Sequence, residues 1–171
     1  KTAYEIKECD WSSDVCSSDL QDLQQLLGQD IYISDPIAVD QAKIDLFAQA
    51  TGDFQWIHVD PERAGRESPF AGTIAHGFLS LSLLGKFYED FLPALLPFAG
   101  FGLNYGLNKV RFMSPVRSGS QVRGRFKLHQ IERVPGAVQL IFIATLEVAG
   151  QTKPACVAES VVRRQLPDEP I

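Results

Sequence analysis

Apolar residues change their spacing along this chain of 171 residues, from helical periods in the first half to alternation in the second. The first predicted elements are short: one helical turn, two strands and a helix, at residues 23–27, 31–33, 37–39 and 41–50. Asp40 is a typical N-cap residue for this helix, and Gly52 is a typical terminator. A second short helix is predicted from Pro61, with Asp60 as its N-cap. Residues 65–72 are predicted to form a surface loop.

The longest apolar segment with helical character runs from Ala75 to Phe91 and carries few charges. Apolar or small residues occur almost all round it, which is typical of a buried helix rather than an amphipathic surface helix. A helix of that length spans about 26 Å, enough to be enclosed by a curved sheet. Pro93 and Pro97 are predicted to break the chain after it.

Longer runs in the second half alternate or are continuously apolar, which predicts strands at residues 103–115, 121–134, 138–149 and 154–164. Glycine, proline and serine residues lie between these runs, as is typical of turns. The unbroken apolar triplet 141–143 predicts that the third of these strands is central. Helices followed by an antiparallel meander predict an α+β domain.

Composition and charge argue against several classes of protein. The net charge of −5 and the pI near 5.2 argue against nucleic-acid binding, and no apolar run is long enough to span a bilayer. Residues 10–20 resemble the translation of a sequencing-library adaptor, so we expect residues 1–20 to be an artefactual or disordered segment and residues 21–171 to form a single domain. Without that segment, which carries five acids and two bases, the net charge is −2. Cys156 is then the only cysteine, which predicts no disulfide and suits a cytoplasmic location.

The candidate chemistry lies between the two main predicted helices. Asp53 and His58 are five residues apart in a predicted loop, and a carboxylate and an imidazole can together hold one water as acid and base. Gly77 follows near the start of the apolar helix, where free backbone N–H groups stabilise a developing oxyanion. That role requires the helix to start near Ala75, because a start capped by Thr73 would use the N–H of Gly77 inside the helix.

Two motifs carry a resemblance to a known family: Thr51–Pro61, which reads TGDFQWIHVDP, and Thr73–Leu79, which reads TIAHGFL. Together they resemble the MaoC-like, (R)-specific enoyl-CoA hydratase family, and most of all its nodulation protein N branch. The resemblance covers nearly all of the chain after the adaptor-like segment. It implies a hot-dog fold, in which an antiparallel sheet wraps around one long apolar helix. It also implies that Asp53, His58 and Gly77 are catalytic in a hydratase or dehydratase acting on an α,β-unsaturated acyl thioester.

The resemblance further implies the partners and the substrate-binding residues. The substrate would be a thioester of coenzyme A or acyl carrier protein, with no cofactor and no metal. A back-to-back homodimer would cover the exposed face of the sheet. Gln55 and His76 are predicted to bind substrate, and the competing interpretation of His76 is a structural role near the helix start. Gln55-Trp56 replaces the Asn-Pro of the common family motif, and Gly85 stands where some members have a serine.

Other interpretations stay open from the sequence. Asp53, His58, Asp60 and His76 together could bind a metal, but their spacing matches no recognised ligand motif. Hot-dog proteins include thioesterases, which is an alternative activity. The two departures from the family motif would also suit an acyl-thioester-binding protein without activity. His129 is predicted to be an ordinary surface residue.

Overall fold

The computed structural model describes residues 21–97 and 100–166, so the predicted segment 1–20 lies outside the described residues. It confirms the predicted α+β hot-dog fold, in which an antiparallel sheet packs around one long helix. After a helical segment at residues 21–25, the elements are β1 (Asp30–Ile33), β2 (Ile37–Val39), α1 (Gln41–Thr51), α2 (Trp56–Val59), α3 (Pro61–Glu67), α4 (Gly77–Leu95), β3 (Gly102–Phe112), β4 (Ser120–Val134), β5 (Ala137–Val148) and β6 (Cys156–Gln165). None of the described helices has both the length and the apolar character needed to cross a bilayer.

The strands form one sheet in the order β1-β4-β5-β6-β3, and β2 also pairs with β4. β5 is central, which confirms the prediction from the apolar triplet 141–143. The predicted meander is correct for β4, β5 and β6, but it is wrong for β3, which pairs with β6. Because β2 and β3 lie on opposite sides of the sheet, the segment that contains α4 carries the chain across it. The spacing of apolar residues does not encode that crossing.

The long helix α4 begins at Gly77, two residues later than predicted, and continues to Leu95. The predicted break at Pro93 is therefore wrong, because this proline lies inside the last turn of the helix. A proline there removes one backbone hydrogen bond. The neighbouring Phe91 and Leu92 are buried in the core, and their burial offsets that loss.

The hydrophobic core lies between α4 and the inner face of the sheet. Three of its rings are fully buried: Phe87 of α4, Phe126 of β4 and Phe142 of β5. Phe126 meets Phe87 edge to face, with 6.1 Å between the ring centroids. Burial of each ring contributes roughly 1.5–3 kcal/mol. The core thus fixes α4 on the sheet, and with it the position of the helix start.

Strand β3 is an edge of the sheet, and it carries large exposed apolar side chains. Those that are 45–57% exposed are Leu103, Tyr105, Leu107 and Phe112. Elsewhere in the sheet, on β4 and β5, the outer face carries charged groups, and Glu147 accepts hydrogen bonds from Arg123 and Arg125. An exposed apolar edge strand is a template for pairing with another chain.

Two predicted boundaries near the candidate site are wrong. The predicted loop 53–58 contains the start of α2, and α3 extends into the predicted loop 65–72. A helix of a single turn is too short to show a hydrophobic period, so no periodic signal marks α2. The predicted cap of α3 is confirmed, because the carboxylate of Asp60 accepts the backbone N–H of Arg63 at 2.9 Å.

Candidate active site

Asp53 follows α1 directly, and the cap of that helix positions it. As predicted, the carboxylate of Asp40 accepts the backbone N–H of Lys43 at the helix start. Gly52 ends the helix with a left-handed φ of 76°, which glycine adopts without strain. The chain therefore reverses direction just before Asp53, whose side chain is 54% exposed. One carboxylate oxygen accepts the backbone N–H of Gln55 at 3.3 Å, which holds the turn.

His58 lies in α2 and is buried. Its Nδ1 is 2.7 Å from the carbonyl oxygen of Ile74, and because a carbonyl only accepts, Nδ1 carries the hydrogen. The lone pair is then on Nε2, which can accept a proton. The side-chain amide of Gln41 donates to the carbonyl oxygen of His58 at 2.7 Å and ties α2 to α1. These bonds fix both the tautomer and the position of the imidazole.

Burial lowers the pKa of His58 below its ordinary value of 6.5, and the positive charge that His76 can carry lowers it further. The hydrogen bond to Ile74 and the carboxylate of Asp53 act in the opposite direction without reversing the shift. The imidazole is therefore neutral at pH 7. The unfolded chain binds the proton more readily, so the stability contributed by His58 is complete above about pH 6.5 and falls as the pH drops through the folded-state pKa.

We expect this shift to be visible in the pH dependence of the reaction. If neutral His58 is the base in hydration, kcat/KM of the free enzyme falls on the acid side with a midpoint below pH 6.5. The measurement is kcat/KM for hydration of a short trans-2-enoyl-CoA between pH 5 and 8, with far-ultraviolet circular dichroism to confirm folding at each pH. A midpoint above 6.5 would contradict the prediction.

His76 is also buried, and it lies against both members of the predicted pair. Its Nε2 is 3.0 Å from the backbone carbonyl oxygen of Asp53 and 3.8 Å from a carboxylate oxygen of the same residue. Its ring stacks on His58, with 3.8 Å between centroids and 28° between planes. The predicted role of His76 in substrate binding stays a prediction. The same holds for Gln55, whose side chain is exposed at the site.

Gly77 is the first residue of α4 and His76 is its N-cap, so the condition for the oxyanion role is met. The first four N–H groups of a helix have no acceptor within it. Thr73 does not cap this helix, which begins four residues later, and its hydroxyl donates instead to Gln41 Oε1 at 2.5 Å. A Cβ atom at position 77 would lie 3.1 Å from the ring of Phe112. Any larger residue would therefore require that ring to move.

Asp53, His58 and His76 also have the composition of a metal site. A carboxylate oxygen and a nitrogen from each ring lie within 4.8 Å of one another. However, the two imidazole rings stack, with 28° between their planes, rather than converge on a point. Asp60 is engaged in capping α3. The geometry thus favours acid–base chemistry over metal binding.

Sequence reasoning missed the groups that support the site. Gln41, the carbonyl of Ile74 and the ring of Phe112 contact it from positions distant in sequence, and no local pattern reveals such contacts. Cys156 does not provide a nucleophile, because it is buried and burial raises the pKa of its thiol to about 11. His129 is exposed, which confirms its predicted position.

Comparisons with known proteins agree on one family. Residues 22–142 match the model of the MaoC like domain. Nodulation protein N of Rhizobium leguminosarum bv. viciae is 50% identical over 141 residues, which cover 81% of this chain and 86% of that protein. The Mycobacterium tuberculosis protein named 3-hydroxyacyl-thioester dehydratase Z is 48% identical over 143 residues, which cover 83% and 93%. The solved (R)-hydratase from A. caviae shares the fold, with a TM-score of 0.65, 24% identity and coverage of 82% and 96%.

Proposed function

This chain belongs to the MaoC-like domain family, and we propose that Asp53, His58 and Gly77 are its catalytic residues. It is a hydratase or dehydratase that acts on an acyl thioester. The observation that supports the assignment of residues is one cluster: the Asp53 carboxylate lies within 4.8 Å of a His58 ring nitrogen, beside the start of α4.

In the hydration direction, Asp53 and His58 hold one water between them. Nε2 of His58 takes one proton from this water, while the other O–H stays intact and donates a hydrogen bond to the carboxylate of Asp53. The water oxygen forms a bond to the β-carbon of the unsaturated thioester. The electron pair of the double bond moves towards the thioester carbonyl. Protonated His58, held beside Asp53, then delivers the proton to the α-carbon, so that one water is added in total. Dehydration runs through the same steps in reverse.

Gly77 stabilises the charge that develops on the thioester oxygen. Its N–H is at the first position of α4, where the helix dipole also favours negative charge. Loss of one such donor typically costs about 3–4 kcal/mol in the transition state. Because glycine has no side chain, the thioester carbonyl can approach this N–H closely.

The direct test uses protein that begins at residue 21 and a series of trans-2-enoyl-CoA substrates of increasing chain length. We expect the absorbance of the conjugated enoyl thioester to fall, at a rate many orders of magnitude above that of the uncatalysed reaction. Release of free thiol from a saturated acyl-CoA would instead identify a thioesterase. Binding of acyl-CoA without either change would identify a non-catalytic binding protein.

We propose that two copies of the chain pair through β3. The apolar side chains exposed on this strand support the proposal, because an edge of this kind is seldom left uncovered. The sequence-based expectation placed the contact on the exposed face of the sheet. That face carries ion pairs such as Arg123 with Glu147, so the edge strand is the better candidate.

We also propose the cytoplasm as the location of the protein. Cys156 supports this, since it is a free and buried thiol within the described part of the chain. A reducing compartment keeps such a thiol unmodified. Coenzyme A and acyl carrier protein both remain candidate carriers of the acyl group.

A further inference from the structure

His76 is in contact with three parts of the proposed catalytic apparatus. Its Nε2 donates to the backbone carbonyl of Asp53 at 3.0 Å. Its ring stacks on the ring of His58 at 3.8 Å. Its backbone forms the N-cap of α4, immediately before Gly77.

We propose that His76 is a positioning residue, which holds Asp53, His58 and the start of α4 in the geometry that the reaction needs. The inference rests on the proposed function of these residues. It differs from the substrate-binding role that the sequence suggested, because it requires no contact between His76 and the substrate.

The bonding of the imidazole supports positioning rather than proton transfer. A carbonyl oxygen only accepts, so the hydrogen of the neutral ring is on Nε2 and is engaged by Asp53. Nδ1 is the remaining acceptor, and it is buried without a hydrogen-bond partner among the described residues. The side chain is only 3% exposed. Neither nitrogen is therefore placed to exchange a proton with a substrate.

The unpartnered Nδ1 indicates that an imidazole is not the most stabilising side chain at position 76. A buried acceptor without a donor destabilises the folded state, and an apolar ring of similar shape would not carry this penalty. The ring of His76 also lies 5.1 Å from that of Phe47 between centroids, so a phenylalanine would be in a compatible environment. What an imidazole adds over that ring is the bond from Nε2 to Asp53.

The charged groups around His76 are few. The carboxylate of Asp53 is 3.8 Å from Nε2, and the ring of His58 is the other titratable group in contact. On α1, the nearest ring is apolar Phe47, while Asp45 accepts a hydrogen bond from Gln41 at 2.8 Å. Replacement of His76 by a neutral ring removes a group that disfavours the protonated form of His58, so His58 should titrate at higher pH.

Two variants separate the contacts of His76. His76→Phe keeps a ring to stack on His58 but loses the donor to Asp53, whereas His76→Gln retains an amide N–H near the position of Nε2. We expect kcat of His76→Phe to fall by about 10- to 100-fold, as is typical of small misplacements of catalytic groups. KM should stay within about twofold, because the substrate contacts are unchanged. His76→Gln should recover part of the lost kcat.

A second measurement does not depend on turnover. The chain has three histidines, so NMR titration of their ring signals can follow each of them. In His76→Phe the signal of His58 should titrate at higher pH than in the unmodified protein. His129→Gln is the control, because it removes an exposed histidine and should change neither the His58 titration nor kcat.

Unfolding in urea completes the test. We expect the midpoint of His76→Phe to equal or exceed that of the unmodified protein, so that the loss of kcat cannot come from loss of fold. The proposal is overturned if kcat of the folded variant is unchanged, or if its loss only follows the unfolded fraction. An unchanged His58 titration would also overturn it. If the unmodified protein hydrates no enoyl thioester, the proposed function fails, while the titration still tests the coupling of His76 to His58.

Discussion

Asp53→Asn and His58→Gln are each expected to reduce kcat/KM for enoyl-CoA hydration by about 100- to 10,000-fold, the range typical of a positioned acid or base. Asn has nearly the shape of Asp but is a much weaker base. Gln can donate to Ile74 but offers no lone pair of suitable basicity in place of Nε2. The reductions should appear in kcat more than in KM, because neither group is required for binding the acyl chain.

The double variant makes this prediction sharper. Asp53 and His58 are proposed to act on the same water, so removal of both should cost little more than removal of one. Two groups that acted independently would instead give reductions that multiply. A double variant with the product of the two single losses would therefore contradict the shared-water arrangement.

Matched controls are available within the chain. Asp35→Asn and His129→Gln make the same chemical changes at exposed positions away from the site, and both should retain normal turnover. Because the Asp53 side chain is about half exposed, Asp53→Asn should change the free energy of unfolding by no more than about 0.5 kcal/mol. Near-normal turnover in either site variant would remove the proposed role of that residue.

Leu107→Lys is expected to convert the proposed dimer, paired through β3, into a monomer. Leu107 is 45% exposed in the middle of β3, and a two-fold contact would bring two copies of the new lysine close together. Loss of about 1.5–2 kcal/mol of apolar burial per copy raises the dissociation constant by roughly 100-fold or more. Sedimentation at micromolar concentration should then show the mass of one chain, 18.9 kDa, in place of twice that mass.

Leu46→Lys is the matched control for the edge-strand variant. Leu46 is 65% exposed on α1, so the same substitution there should leave the mass and the dissociation constant unchanged. A monomeric unmodified protein would contradict the dimer itself. A Leu107→Lys variant that remains dimeric would contradict the edge strand as its interface.

The fold was predictable because its strongest signals are local. Asp40 and Gly52 carry the start and end of α1, and the apolar triplet 141–143 identifies the central strand. The pairing of β3 with β6 was not predictable, since it depends on how the chain crosses the sheet. Pro93 misled the prediction because burial of the surrounding side chains outweighs one missing hydrogen bond.

The candidate site shows the same division. Asp53, His58 and Gly77 could be named from two motifs, because their residue types and spacing fit one kind of chemistry. The tautomer of His58 could not be named, since it is set by the carbonyl of Ile74 in another segment. The stacked arrangement of His76 also depends on packing between α1 and α4. Such contacts arise only when distant segments meet.

The position of β3 in the sheet has a consequence for how the protein is made. Its partner, β6, begins roughly 45 residues further along the chain, so a ribosome adding about 5–20 residues per second needs roughly 2–9 s to supply it. During that interval the nascent apolar strand lacks β6, its neighbour in the sheet. It is then exposed to chaperones or to misassembly with other nascent chains.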